Sequence, residues 1–187
     1  MGNLHKYKDE KWTRTKAAIL WSGMRARCVA GGAQQRRNAA YIGSTLSVEF
    51  LSFEGFYDWY RAQPAFNMDG YELDKDLAGK GGKHYSRETC HMIPKALNLF
   101  LSSRKKSITG LPTGVHLTPK GQYQARLRID SKPRSCGTYS TMGEAERAYI
   151  NAKNAEAQRW ADRMAAGEFL VTPSVIELVR KIDWSAK

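Results

Sequence analysis

Acidic residues are scarce in this chain of 187 residues: 18 Asp and Glu stand against 30 Lys and Arg, for a formal charge of +12. Such an excess favours a polyanionic partner, nucleic acid first. Cysteine is scarcer. Cys28, Cys90 and Cys136 lie far apart and form no CxxC pair, which argues against a zinc knuckle. An odd, scattered set fits a reducing cytoplasm. Long apolar runs are missing too: nothing approaches the roughly 20 residues of a membrane span, and Met1 to Lys16 is polar and basic, with no apolar stretch of signal-peptide length. There is no internal repeat, and no stacking motif of the usual RNA-binding modules. The expectation is a cytoplasmic protein that binds duplex DNA, with no membrane association. What is present supports folding: 42% hydrophobic and 11% aromatic residues are enough for packed cores in one large or two small domains.

Residues 1–16 read as a basic flexible arm. Ala17, Leu20, Trp21, Met24 and Cys28 then recur at helical spacing, with Arg25 and Arg27 off that stripe. Gly31-Gly32 ends the helix, and 31–40 reads as a loop carrying Arg36 and Arg37. A second helix is expected from about Val48 to Ala62, with Phe50, Phe53, Phe56, Tyr57 and Tyr60 as a core-facing stripe. Met68 to Pro94 reads as strand, glycine-rich turn (Ala78 to Lys83) and return strand (Cys90 to Ile93). Pro94 suits the first turn of a helix reaching about Ser103. Residues 104–112 form a basic linker. In 113–166, Tyr123, Ala125, Leu127 and Ile129 alternate with Gln124, Arg126, Arg128 and Asp130, giving a strand with one apolar and one basic face. Lys132-Pro133-Arg134 reads as a turn. Thr141-Met142-Gly143-Glu144 is a capping box opening a long alanine-rich helix. The tail, 167–187, carries Val175, Ile176, Leu178, Val179 and Ile182 as one apolar face, for packing or a homodimer contact. The expected fold class is α+β: N-terminal helices, a ββα unit of hairpin and helix, then a three-stranded antiparallel sheet on a long helix.

The densest chemistry lies in Tyr71-Glu72-Leu73-Asp74-Lys75-Asp76-Leu77 and the segment from Tyr85 to Asn98. Carboxylates gathered where a polyanion must approach are costly unless a cation sits between them. A ββα unit that hydrolyses phosphodiesters needs one divalent ion on the scissile phosphate and a base to deprotonate a water. Mg²⁺ or Mn²⁺ takes oxygen ligands and keeps several waters, so a carboxylate and an amide suffice. Asp74 ends the first strand and Asn98 lies early in the helix; a hairpin returning into that helix can bring them together. The bland alternative, solvated or capping residues, stays open.

The order of Arg36 or Arg37-Asn38, Tyr41-Ile42-Gly43, Phe53 to Trp59, Leu73 to Leu77, Tyr85-Ser86, Glu88-Thr89-Cys90, Ile93-Pro94 and Asn98 resembles the free-standing HNH homing endonucleases of tailed bacteriophages. The next region resembles the plant ethylene-response-factor type of DNA-binding domain at Gly114-Val115, Tyr123 to Arg126, Gly137-Thr138-Tyr139, Thr141, Glu144-Ala145 and Ala148-Tyr149. The likeness covers roughly residues 20–165. It implies a nuclease module over 17–103, a DNA-docking module over 113–166, a hydrolase acting on phosphodiester bonds, and a host-cell setting. Asp74 would be a metal ligand and Asn98 the helix-borne one. Two departures stand out. Lys75 or Asp76 occupies the neighbourhood of the histidine that serves as general base, and Gly82 replaces a central asparagine. Asp74, Asp76, His84 and His91 remain candidates for the base. Lys75 reads either as a phosphate clamp or as a salt bridge between its flanking carboxylates; as a base it is disfavoured, because those carboxylates raise its pKa. By resemblance the sheet reads a major groove through Arg126 and Arg128, with Tyr123, Lys132 and Arg134 flanking phosphates. Arg36, Arg37, Arg104 and Lys105 would add backbone contacts. The alternative is a non-catalytic DNA-binding protein on a degenerate HNH scaffold.

Overall fold

A computed structural model describes residues 10–77, 82–102, 110–129 and 132–186. The chain is mixed α+β and forms two compact units, Met1–Pro94 with Leu170–Val175 and Lys95–Phe169 with Ile176–Lys187. The change of unit at Pro94 precedes the expected 104–112 linker, of which residues 103–109, with Arg104 and Lys105, lie outside the described residues.

In the first unit, α1 (Glu10–Cys28) begins inside the expected flexible arm. Its predicted stripe is the buried one: Ala17 and Met24 are fully buried, and Leu20, Trp21 and Cys28 pack on the same core. The segment 31–40 is not the expected open loop. It folds into α2 (Ala33–Arg37) and a turn of 3₁₀ helix at Ala39–Tyr41. Gln35 pins this bend from within, donating to the carbonyls of Arg27 and Tyr41 and accepting from the Gly31 amide.

The expected single helix from Val48 to Ala62 is two helices, α3 (Val48–Leu51) and α4 (Phe53–Arg61). Ser52 interrupts them because its hydroxyl caps α4, accepting from the Gly55 amide at 3.1 Å. The aromatic stripe is core, with Phe50, Phe56 and Tyr60 fully buried and in ring contact: Phe50 with Phe56, and Phe56 with Tyr60. A short parallel pair that the sequence did not suggest, β1 (Thr45–Leu46) with β3 (His84–Tyr85), ties this part to the hairpin. The hairpin strands are β2 (Tyr71–Asp74) and β4 (His91–Pro94), antiparallel, with Asp74 opposite His91 and Leu73 opposite Met92. Pro94 ends the strand rather than starting the helix.

In the second unit, α5 (Lys95–Leu101) follows β4 directly in the chain. A three-stranded antiparallel sheet, β5 (Val115–Leu117), β6 (Tyr123–Ile129) and β7 (Lys132–Tyr139), packs on α6 (Met142–Ala165). The capping box at Thr141 and Glu144 is formed in full. Val115, Ala125 and Ala145 make the sheet–helix core, their small side chains letting the helix lie close. Lys132, Pro133 and Arg134 belong to β7 and are not a turn. Opposite Ala125 and Arg126 the register slips: Gly137 and Ser135 are the partners, leaving Cys136 as the extra residue of a bulge.

Two glycines make this packing possible. Gly114 has φ +80°, and a Cβ there would strike the Tyr149 ring; Gly137 has φ +116°, and a Cβ there would strike Tyr139, whose hydroxyl donates to the Cys136 carbonyl at 2.8 Å. In the tail, α7 (Pro173–Arg180) buries Val175 and Val179 within the chain. The apolar face read as a packing or dimer surface is therefore spent on internal packing at both positions.

Candidate metal centre and nucleic-acid interface

Alternation along the hairpin sorts its residues. Tyr71, Leu73 and Met92 pack on the core of the first unit. Glu72, Asp74, His91 and Ile93 therefore lie on the other face. Directly opposed residues of an antiparallel pair have Cβ atoms about 4.5–5.5 Å apart, so Asp74 and His91 are immediate neighbours across the strands.

Asp74 is buried, 9% exposed. Its Oδ2 accepts from the backbone amides of Asp76 (2.8 Å) and Leu77 (3.1 Å), which fixes the carboxylate at the strand end. Among the described residues Oδ1 has no hydrogen-bond partner. Burial pushes the carboxyl pKa up, and the Asp76 amide hydrogen bond partly offsets it. A carboxylate so held, with one oxygen unspent, suits a cation that supplies the missing stabilisation. Asn98, the expected second ligand, lies on α5 in the other compact unit. Among the described residues no three His, Cys, Asp or Glu side chains converge.

His91 is 6% exposed, and its Nε2 is buried with no hydrogen-bond partner. Burial lowers its pKa. The alternation that left His91 open between core and site resolves away from the first unit's core, since Met92 takes the core side. His84 is exposed, with Nδ1 2.9 Å from the Thr45 hydroxyl. Asp76 is exposed and paired with Lys75.

Lys75 is where expectation and structure part most. It is 7% exposed. Its ammonium donates to Asp76 and to the Gly82 carbonyl (2.7 Å) and lies 5.6 Å from the Tyr85 ring centroid. It pairs with one flanking carboxylate rather than bridging both. Arg27, read as off the stripe, interacts electrostatically with the buried Tyr85 and covers the Tyr41 ring at 5.3 Å. Burial pushes the Tyr85 pKa up to about 12, against the pull of the Arg27 guanidinium. Arg27 and Tyr85 were missed because their partnership is set by chain return. The one available hint was Arg27 beside the apolar position Cys28.

The return turn is rigid. Ser86 Oγ donates to Glu88 (2.6 Å), the Ser86 amide donates to Thr89 Oγ1 (3.0 Å), and Thr89 Oγ1 donates to the His84 carbonyl (2.6 Å). The Cys90 thiol that follows is buried, its pKa pushed up to about 12 by burial.

On the sheet, Arg126 and Arg128 are exposed on the face shared with His116, Gln124, Ser135 and Thr138. Gln124 Oε1 accepts from Arg126 Nε at 2.8 Å, and its Nε2 donates to the Ser135 hydroxyl at 3.4 Å. That leaves the terminal guanidinium nitrogens of Arg126 directed by a fixed neighbour. Tyr123, Lys132 and Arg134 are opposite Tyr139, Ile129 and Leu127, on the sheet face turned to α6. Tyr123 packs against the core. Arg134 lines a groove of about 930 Å³ with Leu127, Ile129, Arg147 and Ala152. The expected grouping of these three with Arg126 and Arg128 is corrected: the sheet separates them. Arg36 and Arg37 are exposed at the end of α2.

No family model, curated protein or solved structure matches this chain. Among the described residues no helix is long and apolar enough to cross a membrane.

Proposed function

We propose that this chain is a metal-dependent DNA endonuclease of the phage HNH homing type, working in the host cytoplasm, with the hairpin and α5 as its nuclease part and the sheet as its docking part. The observation that carries the reading is the buried Asp74: its carboxylate is fixed by two backbone amides through one oxygen, it stands opposite a buried histidine, and its hairpin leads directly into a helix bearing Asn98.

In this reading Asp74 Oδ1 would hold the ion, and the resemblance adds the Asn98 amide as a second ligand. Bound Mg²⁺ or Mn²⁺ supplies the positive charge that neutralises the scissile phosphate and the leaving 3′-oxygen. The backbone amides of Asp76 and Leu77 keep Asp74 from rotating away. A base must still take a proton from the attacking water. Among the candidates, Asp76 and His84 are exposed and open to a water, whereas His91 is enclosed. Arg126 and Arg128 would read base edges, and Arg36 and Arg37 would hold the phosphate backbone.

One observation favours the second reading, a DNA-binding protein without catalysis: the residue after Asp74 is a buried lysine held by Asp76 and the Gly82 carbonyl. Supercoiled plasmid incubated with the protein and Mg²⁺ or Mn²⁺, with and without chelator, separates the two. The nuclease reading expects chelator-sensitive nicking. Salt-dependent binding with intact plasmid in both metals would establish the second.

A further inference from the structure

In the second unit, the sheet and α6 leave a gap that their own side chains do not fill. The groove of about 930 Å³ that Arg134 lines has Leu127, Ile129, Ala148, Ala152 and Ala155 along its floor. Its cause is local. Val115, Ala125 and Ala145 close the sheet against the start of α6. Further along the helix the lining residues are alanines, whose methyls are too short to fill the space over Leu127 and Ile129. Apolar surface that a core would cover therefore stays open. Four arginines stand on the walls: Arg134 on β7, and Arg147, Arg159 and Arg163 on α6. The acids beside them are already engaged. Glu144 accepts from the Thr141 amide (3.0 Å) and hydroxyl (2.8 Å), and Glu156 accepts from Arg159 (2.8 Å). Arg163 pairs with Glu168. Arg134 and Arg147 form no ion pair among the described residues.

We propose that this groove docks an acidic amphipathic helix of a partner protein, its apolar face on the floor and its carboxylates on Arg134 and Arg147. An amphipathic helix laid in an apolar groove is anchored at i, i+3, i+4 and i+7. The length suits one: from Glu144 to Arg163 the groove follows α6 for roughly 28 Å of axis, at about 1.5 Å per residue. A strand added to the outer edge of β7 is the competing way to occupy such a place. Pro133 and the bulge at Cys136 interrupt that edge, so a helix is the better fit. Charge selects the occupant. The segments of this chain outside the described residues are basic, with Lys6, Lys8, Arg104, Lys105 and Lys106. A second copy of the chain carries +12. Both have the wrong sign for an arginine rim. Duplex DNA has the right sign, but its phosphates gain nothing from an apolar floor. Arg126 and Arg128 lie on the other face of the sheet, so the helix and a duplex can be held together. The inference stands with or without nuclease activity.

The test uses the full-length protein and a fluorescein-labelled synthetic peptide of about 15 residues, roughly four helical turns, with leucines at the anchor spacing and glutamates elsewhere. A scrambled control keeps its composition and charge and loses its apolar face. Anisotropy titration is expected to show saturable binding of the amphipathic peptide and at least about tenfold weaker binding of the control. Arg147→Glu should weaken the amphipathic peptide by about tenfold, and Ala152→Leu, which fills the floor, should abolish its binding. Both variants are expected to keep the circular dichroism and the DNA retention of wild type. In methyl-labelled wild type the peptide shifts the Leu127 and Ile129 signals. Absence of binding, equal affinity for the two peptides, or equal affinity in wild type and folded Arg147→Glu would overturn the proposal. Shifts at Ile129 caused by duplex DNA and not by the peptide would give the groove to nucleic acid and overturn it as well. So would a concentration-dependent dimer in sedimentation that Ala152→Leu abolishes, since a second copy would then be the occupant.

Discussion

The hairpin and the sheet treat charge in opposite ways. Around the hairpin, Asp74, Lys75 and His91 are all buried, and each meets burial differently: Asp74 by backbone amides, Lys75 by Asp76 and a carbonyl, His91 by nothing within the described residues. On the sheet, Arg126 and Arg128 stay in solvent while Ala125 and Leu127 fill the core. Burying ionisable groups is expensive, so the hairpin carries a cost that the sheet avoids. On the proposed function the contrast has a reason: a surface that only touches DNA would keep its charges wet and adjustable, and a site that must hold an ion at a fixed point would accept buried, pre-aimed ligands.

The largest expected break in that contrast is catalytic. Asp74→Ala should lower plasmid nicking by about a hundredfold or more and leave salt-dependent DNA retention in a gel-shift assay near wild type; parallel loss of both would mean that hairpin and sheet are not separable in function. Next is structural. Gly114→Ala places a methyl against Tyr149 at φ +80° and should cost at least about 3 kcal/mol in urea unfolding. A tolerated alanine would contradict the close sheet–helix packing.

A smaller effect sharpens the sheet side. Arg126→Ala should cost about 1–3 kcal/mol on the preferred sequence and much less on random duplex, read by competition binding. Gln124→Ala, which frees Arg126 Nε, should give a fraction of that loss.

The smallest concerns Asp74→Asn in chelator. The folded Asp74 pKa lies above its unfolded value, so folding disfavours the carboxylate. That penalty is present above the folded pKa and disappears as pH falls to the unfolded value of about 3.9. Asparagine keeps an acceptor for the amides without the charge. At pH 7 the variant should therefore melt higher than wild type, the gap closing toward pH 4. A variant that melts lower at pH 7 would show that the buried carboxylate stabilises the fold.

Legibility in the sequence followed the range of the interactions. The alternation from Tyr123 to Ile129 and the capping box at Thr141 and Glu144 are local signals, and both elements formed where they were read. The stripe from Ala17 to Cys28 was legible for the same reason. The break at Ser52 was not, because a serine hydroxyl closing a new helix is weaker in sequence than the aromatic period running through it. The register of β6 and β7 hid as well: the bulge at Cys136 decides which face Arg134 joins, and it depends on Gly137 and Tyr139 acting together. At the candidate site, Asp74 was identified from its place at a strand end. Its pairing with His91 required the strand register, and the burial of Lys75 required the Gly82 carbonyl and Tyr85 to come back over it.

The measurement that bears most directly on the central claim is an anomalous difference map from crystals of the full chain grown with MnCl₂. The account predicts one strong peak bonded to Asp74 Oδ1. Manganese bound elsewhere, with none at Asp74, would contradict it.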